Sequence, residues 1–162
     1  MNRLAVALFL ASCGSDTGSQ DPGDGVDAMV ATGDPELPPT GHPALKAWLA
    51  DGHYLAWACE DAPHPARPPG AHGTNRICSN AALTASATGT YPVGAASVKE
   101  LYRGTEISGY AVGLKVSTGT DANSWYWYEA FGDSVVADRI GQSLCAGCHE
   151  DAPRDYVFTH VR

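Results

Sequence analysis

The sequence has few basic residues, little charge overall and no long hydrophobic run. Lys and Arg number 10 against 18 Asp and Glu, so the net charge is −8 and the phosphate-neutralising surface of a nucleic-acid-binding protein is absent. No stretch of about eighteen or more apolar residues occurs, so we expect no transmembrane helix. The 18 Gly and 11 Pro favour turns and argue against a long helical bundle. With 162 residues and 44% apolar content, the chain suits one globular domain.

The first residues predict an export signal. A cationic start (MNR) precedes the apolar stretch 4–10 (LAVALFL) and small residues before Cys13, so residues 1–12 are typical of a secretory signal peptide. The sequence Leu-Ala-Ser-Cys ending at Cys13 resembles the lipobox of bacterial lipoproteins. This resemblance implies lipidation of Cys13 and anchoring to the bacterial cell envelope by lipid alone, with the domain facing the periplasm or the cell exterior. An ordinary signal peptide, or a buried apolar segment, is the alternative.

Residues 13–41 predict a flexible tether. After the cysteine they contain six Gly, four Pro, five Asp and one Glu, with no Lys, Arg or aromatic residue. Such a composition cannot bury enough apolar surface to offset the entropy of ordering it. We therefore expect the folded domain to span 42–162.

This domain is predicted to be α+β, mainly an antiparallel sheet with a few short helices. Residues 43–50 and 80–87 have helical patterns, whereas 61–75 is a Pro/Gly-rich loop. Three β-type runs follow, at 96–102, 110–117 and 124–129, separated by turn residues.

Both faces of the predicted sheet carry packing residues. In the second run Val112, Leu114 and Val116 share one face, opposite Ala111, Gly113 and Lys115, because successive strand residues point to opposite sides. In the third run Trp125 and Trp127 likewise oppose Tyr126 and Tyr128. We expect an antiparallel meander that is covered on both faces.

The strongest motif is Cys145-Ala146-Gly147-Cys148-His149. C-x-x-C-H is the attachment signature of c-type haem, because two thiols must reach two vinyl groups of one porphyrin while the adjacent histidine reaches the iron. We therefore expect one covalent haem c on Cys145 and Cys148, with His149 as an axial ligand of the iron. Three alternatives remain: a zinc site, which needs further ligands nearby; a thioredoxin-like motif, which needs a βαβ context; and a Cys145–Cys148 disulfide, which leaves His149 without a role.

Each of the five cysteines can then be assigned a role. Lipid takes Cys13 and haem takes two more, so Cys59 and Cys78 are left for a disulfide in an oxidising compartment. Two separate buried thiols are the alternative.

Methionine is too scarce to complete a His/Met haem site. Only Met1 and Met29 occur, and both precede the predicted domain. A second histidine is possible, and the simplest state is five-coordinate iron with an open distal position, where small ligands bind. The candidate second histidines are His53, His64, His72 and His160.

The segment 43–162 resembles the cytochrome P-460 family and its relatives called cytochrome c′-beta. The likeness rests on short motifs besides the haem motif: YPVGA at 91–95, VKE at 98–100, WYWYE at 125–129 and RDYVFT at 154–159. The resemblance implies a mostly antiparallel β domain, often dimeric, that holds a five-coordinate c-type haem. Members oxidise hydroxylamine or bind nitric oxide and related gases.

The resemblance also implies roles for individual residues. In the oxidising members a lysine is bonded to a haem meso carbon, which points to Lys99, with Lys115 as the alternative. A distal carboxylate relays protons in those members, and Asp138 is the candidate here. Apart from the resemblance, His72 and Arg76 precede Cys78 at the Pro/Gly-rich loop and could pack beside the haem, with Arg76 on a propionate; a plain loop role is the favoured alternative.

Three functions follow as expectations. The first is a haem-dependent hydroxylamine oxidoreductase, acting on hydroxylamine or a related small nitrogen compound and passing electrons to a periplasmic partner. The second is reversible binding of nitric oxide or another diatomic gas, and the third is plain electron transfer. A lysine–haem bond with a distal base favours the first, an open apolar pocket the second, and a second histidine on the iron the third.

Overall fold

The computed structural model describes residues 37–162, so the predicted signal peptide, Cys13 and Met29 lie outside the described residues. None of the described helices has both the length and the apolar content to cross a membrane. The helices are α1 (His42–Ala50), α2 (Ala81–Thr84) and α3 (Ser143–His149), with 3₁₀ turns at His53–Ala56 and Ala122–Ser124; the strands are β1 (Ala58–Cys59), β2 (Asn75–Ser79), β3 (Ala96–Arg103), β4 (Glu106–Lys115), β5 (Trp125–Phe131) and β6 (Ser134–Ile140).

The strands form one antiparallel sheet in the order β1-β2-β3-β4-β5-β6, so each strand pairs with the next along the chain. The predicted α+β class, with an antiparallel meander and a few short helices, is confirmed. The helix predicted at 43–50 is also confirmed, beginning one residue earlier. The helix predicted at 80–87 is shorter, because Asn80 caps it and it ends at Thr84.

The two faces of the sheet pack as the alternation predicted. Val112, Leu114, Tyr126 and Tyr128 lie in one buried cluster with Leu45, Trp48 and Leu49 of α1. Trp125 and Trp127 lie in a second cluster, with Leu83 of α2, Cys145 and the chain that follows α3. Helices thus cover both faces, and α3 is held against the second.

Three parts of the fold were not predicted. β2 follows directly on the Pro/Gly-rich loop, and β6 is a mostly exposed edge strand, so neither shows a clean apolar alternation. The end of the predicted tether is also ordered: Pro38 is buried, and the Gly41 amide donates a hydrogen bond of 3.0 Å to the Tyr126 hydroxyl. The domain therefore begins before residue 42.

The predicted Cys59–Cys78 disulfide is present, with an S–S distance of 2.00 Å. The two cysteines are directly paired between β1 and β2. The bridge closes the chain that contains the Pro/Gly-rich loop, so it ties both ends of that loop to the sheet.

Removing this disulfide should destabilise the domain. The double change Cys59→Ser with Cys78→Ser is expected to lower the free energy of unfolding by about 3 kcal/mol, because it restores the loop entropy of the unfolded chain. Denaturant titration measures the effect, and reduced wild-type protein should match the variant. A variant that unfolds at the same midpoint as oxidised wild type would contradict this expectation.

Candidate functional site

The short helix α3 places the two motif cysteines on one side. Cys145 and Cys148 are three residues apart, so their side chains lie close to the same helix face. Both are partly buried free thiols, which leaves the Cys145–Cys148 disulfide unformed. Burial raises the pKa of Cys145 to about 11, with smaller contributions from Glu129 and Cys148. A redox-active thiol needs the opposite shift, so the site does not favour a thioredoxin-like motif.

A hydrogen bond fixes the His149 ring through Nδ1 and leaves Nε2 available to a ligand. Its Nδ1 lies 2.7 Å from the Tyr156 carbonyl, and because a carbonyl only accepts, Nδ1 carries the proton and Nε2 keeps its lone pair. The ring sits between Trp127 and Phe158, with ring centres 4.5 and 5.5 Å away. Burial lowers the pKa of His149 to about 4. The imidazole is therefore neutral at physiological pH, the form that binds metals.

Cys148 and His149 open onto a cavity between the second sheet face and the Pro/Gly-rich loop, which we call the α3 cavity. The sheet contributes Ile77, Ser97, Lys99, Ala111, Gly113 and Trp127; the loop contributes His64, Arg67, Pro68, Pro69, Ala71 and His72; the C-terminal segment contributes Val157, Phe158 and Thr159.

Two cross-strand rows form the floor of this cavity. Ser97, Gly113 and Trp127 face one another in the first row. Lys99, Ala111 and Glu129 form the second, two residues further along each strand and therefore about 7 Å away. Trp127 supports His149, whereas Glu129 lies 3.3 Å from Nδ1 of His72, measured to Oε2. The middle of the floor carries only small side chains.

The structure brings Lys99, and not Lys115, to the motif. Lys99 lines the α3 cavity together with Cys148 and His149. Burial lowers its pKa, against an opposing effect of Glu60 and Glu129, which increases the fraction of the neutral, nucleophilic amine.

Lys115 has a structural role instead. Its Nζ donates to Asp155 at 2.9 and 3.0 Å, to Ser124 Oγ at 2.9 Å and to the Gly119 carbonyl at 2.7 Å. These partners use all of its donors, so the alternative of a Lys115 crosslink has no support here.

The assignment of the distal carboxylate to Asp138 is corrected. Its side chain accepts hydrogen bonds from the Tyr126 hydroxyl and from the His42 amide, on the sheet face that α1 covers. It therefore lies across the sheet from His149. The carboxylate beside the cavity is Glu129, which shares the strand face of Trp127 because it follows that residue by two. That spacing is visible in the sequence, and it could have identified Glu129.

Of the candidate second histidines, His64 and His72 line the cavity and the other two do not. His53 stacks on Trp48, and His160 lies beside Tyr91.

Arg76 has a structural role, in line with the interpretation favoured from the sequence. It donates to Glu100 at 3.3 Å and to the Glu60 carbonyl at 2.8 Å, and it does not line the cavity. Arg67, which the sequence did not single out, lines the cavity and contacts Glu60.

Two buried polar atoms in the cavity wall have no hydrogen-bond partner: Nε1 of Trp127 and Oδ1 of Asn75. An unsatisfied buried polar atom costs about 1–3 kcal/mol, so this wall is suited to a ligand with polar groups.

Within residues 37–162, no group of three or more His, Cys, Asp or Glu could hold a metal ion through protein ligands alone. A zinc site, which needs at least three such ligands, is therefore not supported.

Comparison with protein-family models, curated proteins and solved structures gives no match for this chain. The function has to be argued from the residues of the site.

Proposed function

We propose that this chain is an exported, lipid-anchored c-type cytochrome of the cytochrome P-460 type, which oxidises hydroxylamine or a related small nitrogen compound. The observation that carries the proposal is that the C-x-x-C-H helix opens onto a cavity also lined by Lys99. Cys145 and Cys148 would hold haem c through thioether bonds, and Nε2 of His149 would be an axial ligand.

The residues of the α3 cavity fit such a group. Gly113 and Ala111 present only small side chains to the cavity. The unpartnered Trp127 Nε1 is a donor for an oxygen-bearing substituent. The neutral His149 is fixed by the Tyr156 carbonyl, which also makes the imidazole a better ligand.

A haem held by Cys145, Cys148 and His149 would supply a coordination position for a small nitrogen ligand and an acceptor for its electrons. Removing two electrons from NH₂OH releases two protons and leaves HNO, with a periplasmic electron-transfer protein as the final acceptor. The chain must therefore receive protons at the cavity. Glu129 is placed for this, because its carboxylate lies at the cavity edge against His72.

Lys99 would make the third covalent attachment. Joining Nζ to a meso carbon replaces one N–H and one C–H bond and removes two electrons, so it needs an oxidant of the peroxide class. Partial burial beside His149 favours the neutral amine that the bond requires.

Reversible binding of nitric oxide or another diatomic gas is the second candidate. Apolar side chains favour it, because Ile77, Val157 and Phe158 line the same cavity. This function applies if no bond forms between Lys99 and the macrocycle.

The change Lys99→Arg distinguishes the two functions. Arginine keeps the charge, but its guanidinium is always protonated and a poor nucleophile, so we expect no crosslink, an ordinary c-type spectrum and at least a hundredfold loss of hydroxylamine oxidation, with gas binding retained. Lys46→Arg, at an exposed ion pair with Asp133, is the matched control and should change nothing.

Peptide mass spectrometry provides the direct readout. Wild type should yield one haem joined both to the 145–149 peptide and to the Lys99 peptide. If wild type lacks the Lys99–haem peptide, the oxidation proposal is wrong and gas binding takes its place.

A further inference from the structure

His72 lies close to His149 in the α3 cavity, with a carboxylate beside one of its ring nitrogens. The centres of the two rings are 6.5 Å apart. Nδ1 of His72 lies 3.3 Å from Oε2 of Glu129, and Nδ1 of His149 lies 2.7 Å from the Tyr156 carbonyl. The Tyr156 carbonyl only accepts, so Nδ1 of His149 carries the proton and its Nε2 keeps a lone pair. A metal-bound histidine has this arrangement, in which the other ring nitrogen donates to a carboxylate or a backbone carbonyl. In His72 the nitrogen beside the carboxylate is also Nδ1, which leaves Nε2 as the nitrogen for a metal.

The separation of the rings matches two ligands of a single metal ion. Two metal–nitrogen bonds of about 2 Å, plus about 1.1 Å from each nitrogen to its ring centre, give roughly 6 Å between ring centres. The floor of the cavity agrees, because His149 packs on Trp127 in the first row and His72 meets Glu129 in the second. The middle strand contributes only a small residue to each row, Gly113 to the first and Ala111 to the second.

The backbone supports a specific role for His72. Within residues 37–162, three residues other than glycine have positive φ: His72 at 70°, Asp155 at 40° and Tyr156 at 65°. Such conformations cost of order 1 kcal/mol or more and cluster at functional sites. Tyr156 supplies the carbonyl that holds His149, so all three strained residues lie near the two facing imidazoles.

His64, the other loop histidine in the cavity, is not equivalent. Its Nδ1 contacts the Pro65 carbonyl at 2.6 Å, and its Nε2 contacts Oε2 of Glu60 at 2.9 Å. With both ring nitrogens engaged, it has no lone pair to offer a metal.

We propose that His72 is the second axial ligand of the haem iron in the ligand-free protein, and that it leaves the iron when a small molecule binds. The inference rests on the proposed haem attachment. It replaces the five-coordinate resting state that the scarcity of methionine suggested. His72 lies on a loop with Gly70 and Gly73 close by, both at positive φ, so it can withdraw without moving the sheet.

The change His72→Gly tests this in the haem-loaded protein. Glycine suits the observed φ, so the loop should fold as before. We expect ferric wild type to have a low-spin, six-coordinate optical and electron paramagnetic resonance spectrum. The variant should be high-spin and five-coordinate, bind cyanide at least tenfold faster, and return to low spin when imidazole is added. His64→Gly, the matched control, should keep the wild-type spectrum.

The outcomes separate this inference from the proposal on which it rests. Wild type without covalent haem contradicts the proposed function, and the axial role of His72 is rejected with it. Covalent haem in a high-spin wild type, or a His72→Gly variant that stays low-spin without imidazole, overturns the role of His72 alone. A low-spin wild type that becomes high-spin only in His72→Gly supports it.

Discussion

On the proposed function, changing Cys145 and Cys148 to alanine should leave the protein without covalently attached haem. Each thiol would form one thioether bond, and both lie on one side of α3 beside His149. Burial raises the pKa of Cys145, so this thiol is not poised to act as a redox-active thiolate. The proposed haem attachment accounts for the spacing of the two cysteines together with the neutral histidine.

Acid–acetone extraction measures this loss. Wild type should keep its colour in the precipitated protein, whereas the double variant should be colourless. The change Cys59→Ser with Cys78→Ser is the control, because it removes the structural disulfide and leaves the motif intact. It should be less stable and still retain haem. Wild-type haem that passes into the solvent would contradict covalent attachment.

Asp155→Asn should be the most destabilising single change to the described domain, lowering the free energy of unfolding by about 3–5 kcal/mol. Lys115 is 0% exposed and Asp155 is 3% exposed, with Nζ 2.9 Å from Oδ1. The same carboxylate accepts the Tyr91 amide at 2.7 Å. Asparagine keeps the shape and tolerates positive φ, but it removes the charge and replaces one acceptor oxygen with a donor. The change therefore leaves a buried ammonium ion without its charged partner.

Asp155→Asn should also disturb the proposed haem site. Asp155 precedes Tyr156, whose carbonyl fixes His149, so we expect a shifted axial-ligand spectrum together with the lower stability. Denaturant titration measures the stability. Lys46→Met, at the exposed pair with Asp133, is the control and should leave the unfolding midpoint close to that of wild type. Adding Lys115→Met to Asp155→Asn should recover part of the loss. If Asp155→Asn alone is as stable as wild type, the Lys115–Asp155 pair does not hold the segment that follows α3.

Much of the sheet could be predicted from strand periodicity. Val112 and Leu114 pack under α1, and Trp125 and Trp127 pack under α3, as their alternation required. The edge strand β6 was not predicted. Most of it is exposed, including Val135, Val136 and Ile140, so its sequence does not alternate between apolar and polar residues.

The site was less predictable, because its partners are distant along the chain. Periodicity puts Lys99 and Lys115 on the same sheet face, and only the contact of Lys115 with Asp155, 40 residues away, separates their roles. The role of Asp138 was judged from its closeness to the motif in sequence, although strand parity points it to the α1 face. The position of His72 depends on a Pro/Gly-rich loop with no regular pattern.

Peptide mapping of the mature, exported protein tests the central claim most directly. The protein should come from a host that attaches c-type haem, and the Cys59–Cys78 disulfide serves as the internal sign that it reached an oxidising compartment. The account predicts that the peptide spanning 145–149 carries one haem bonded to both Cys145 and Cys148. The same peptide with two unmodified thiols, recovered from protein whose Cys59–Cys78 disulfide has formed, would contradict it.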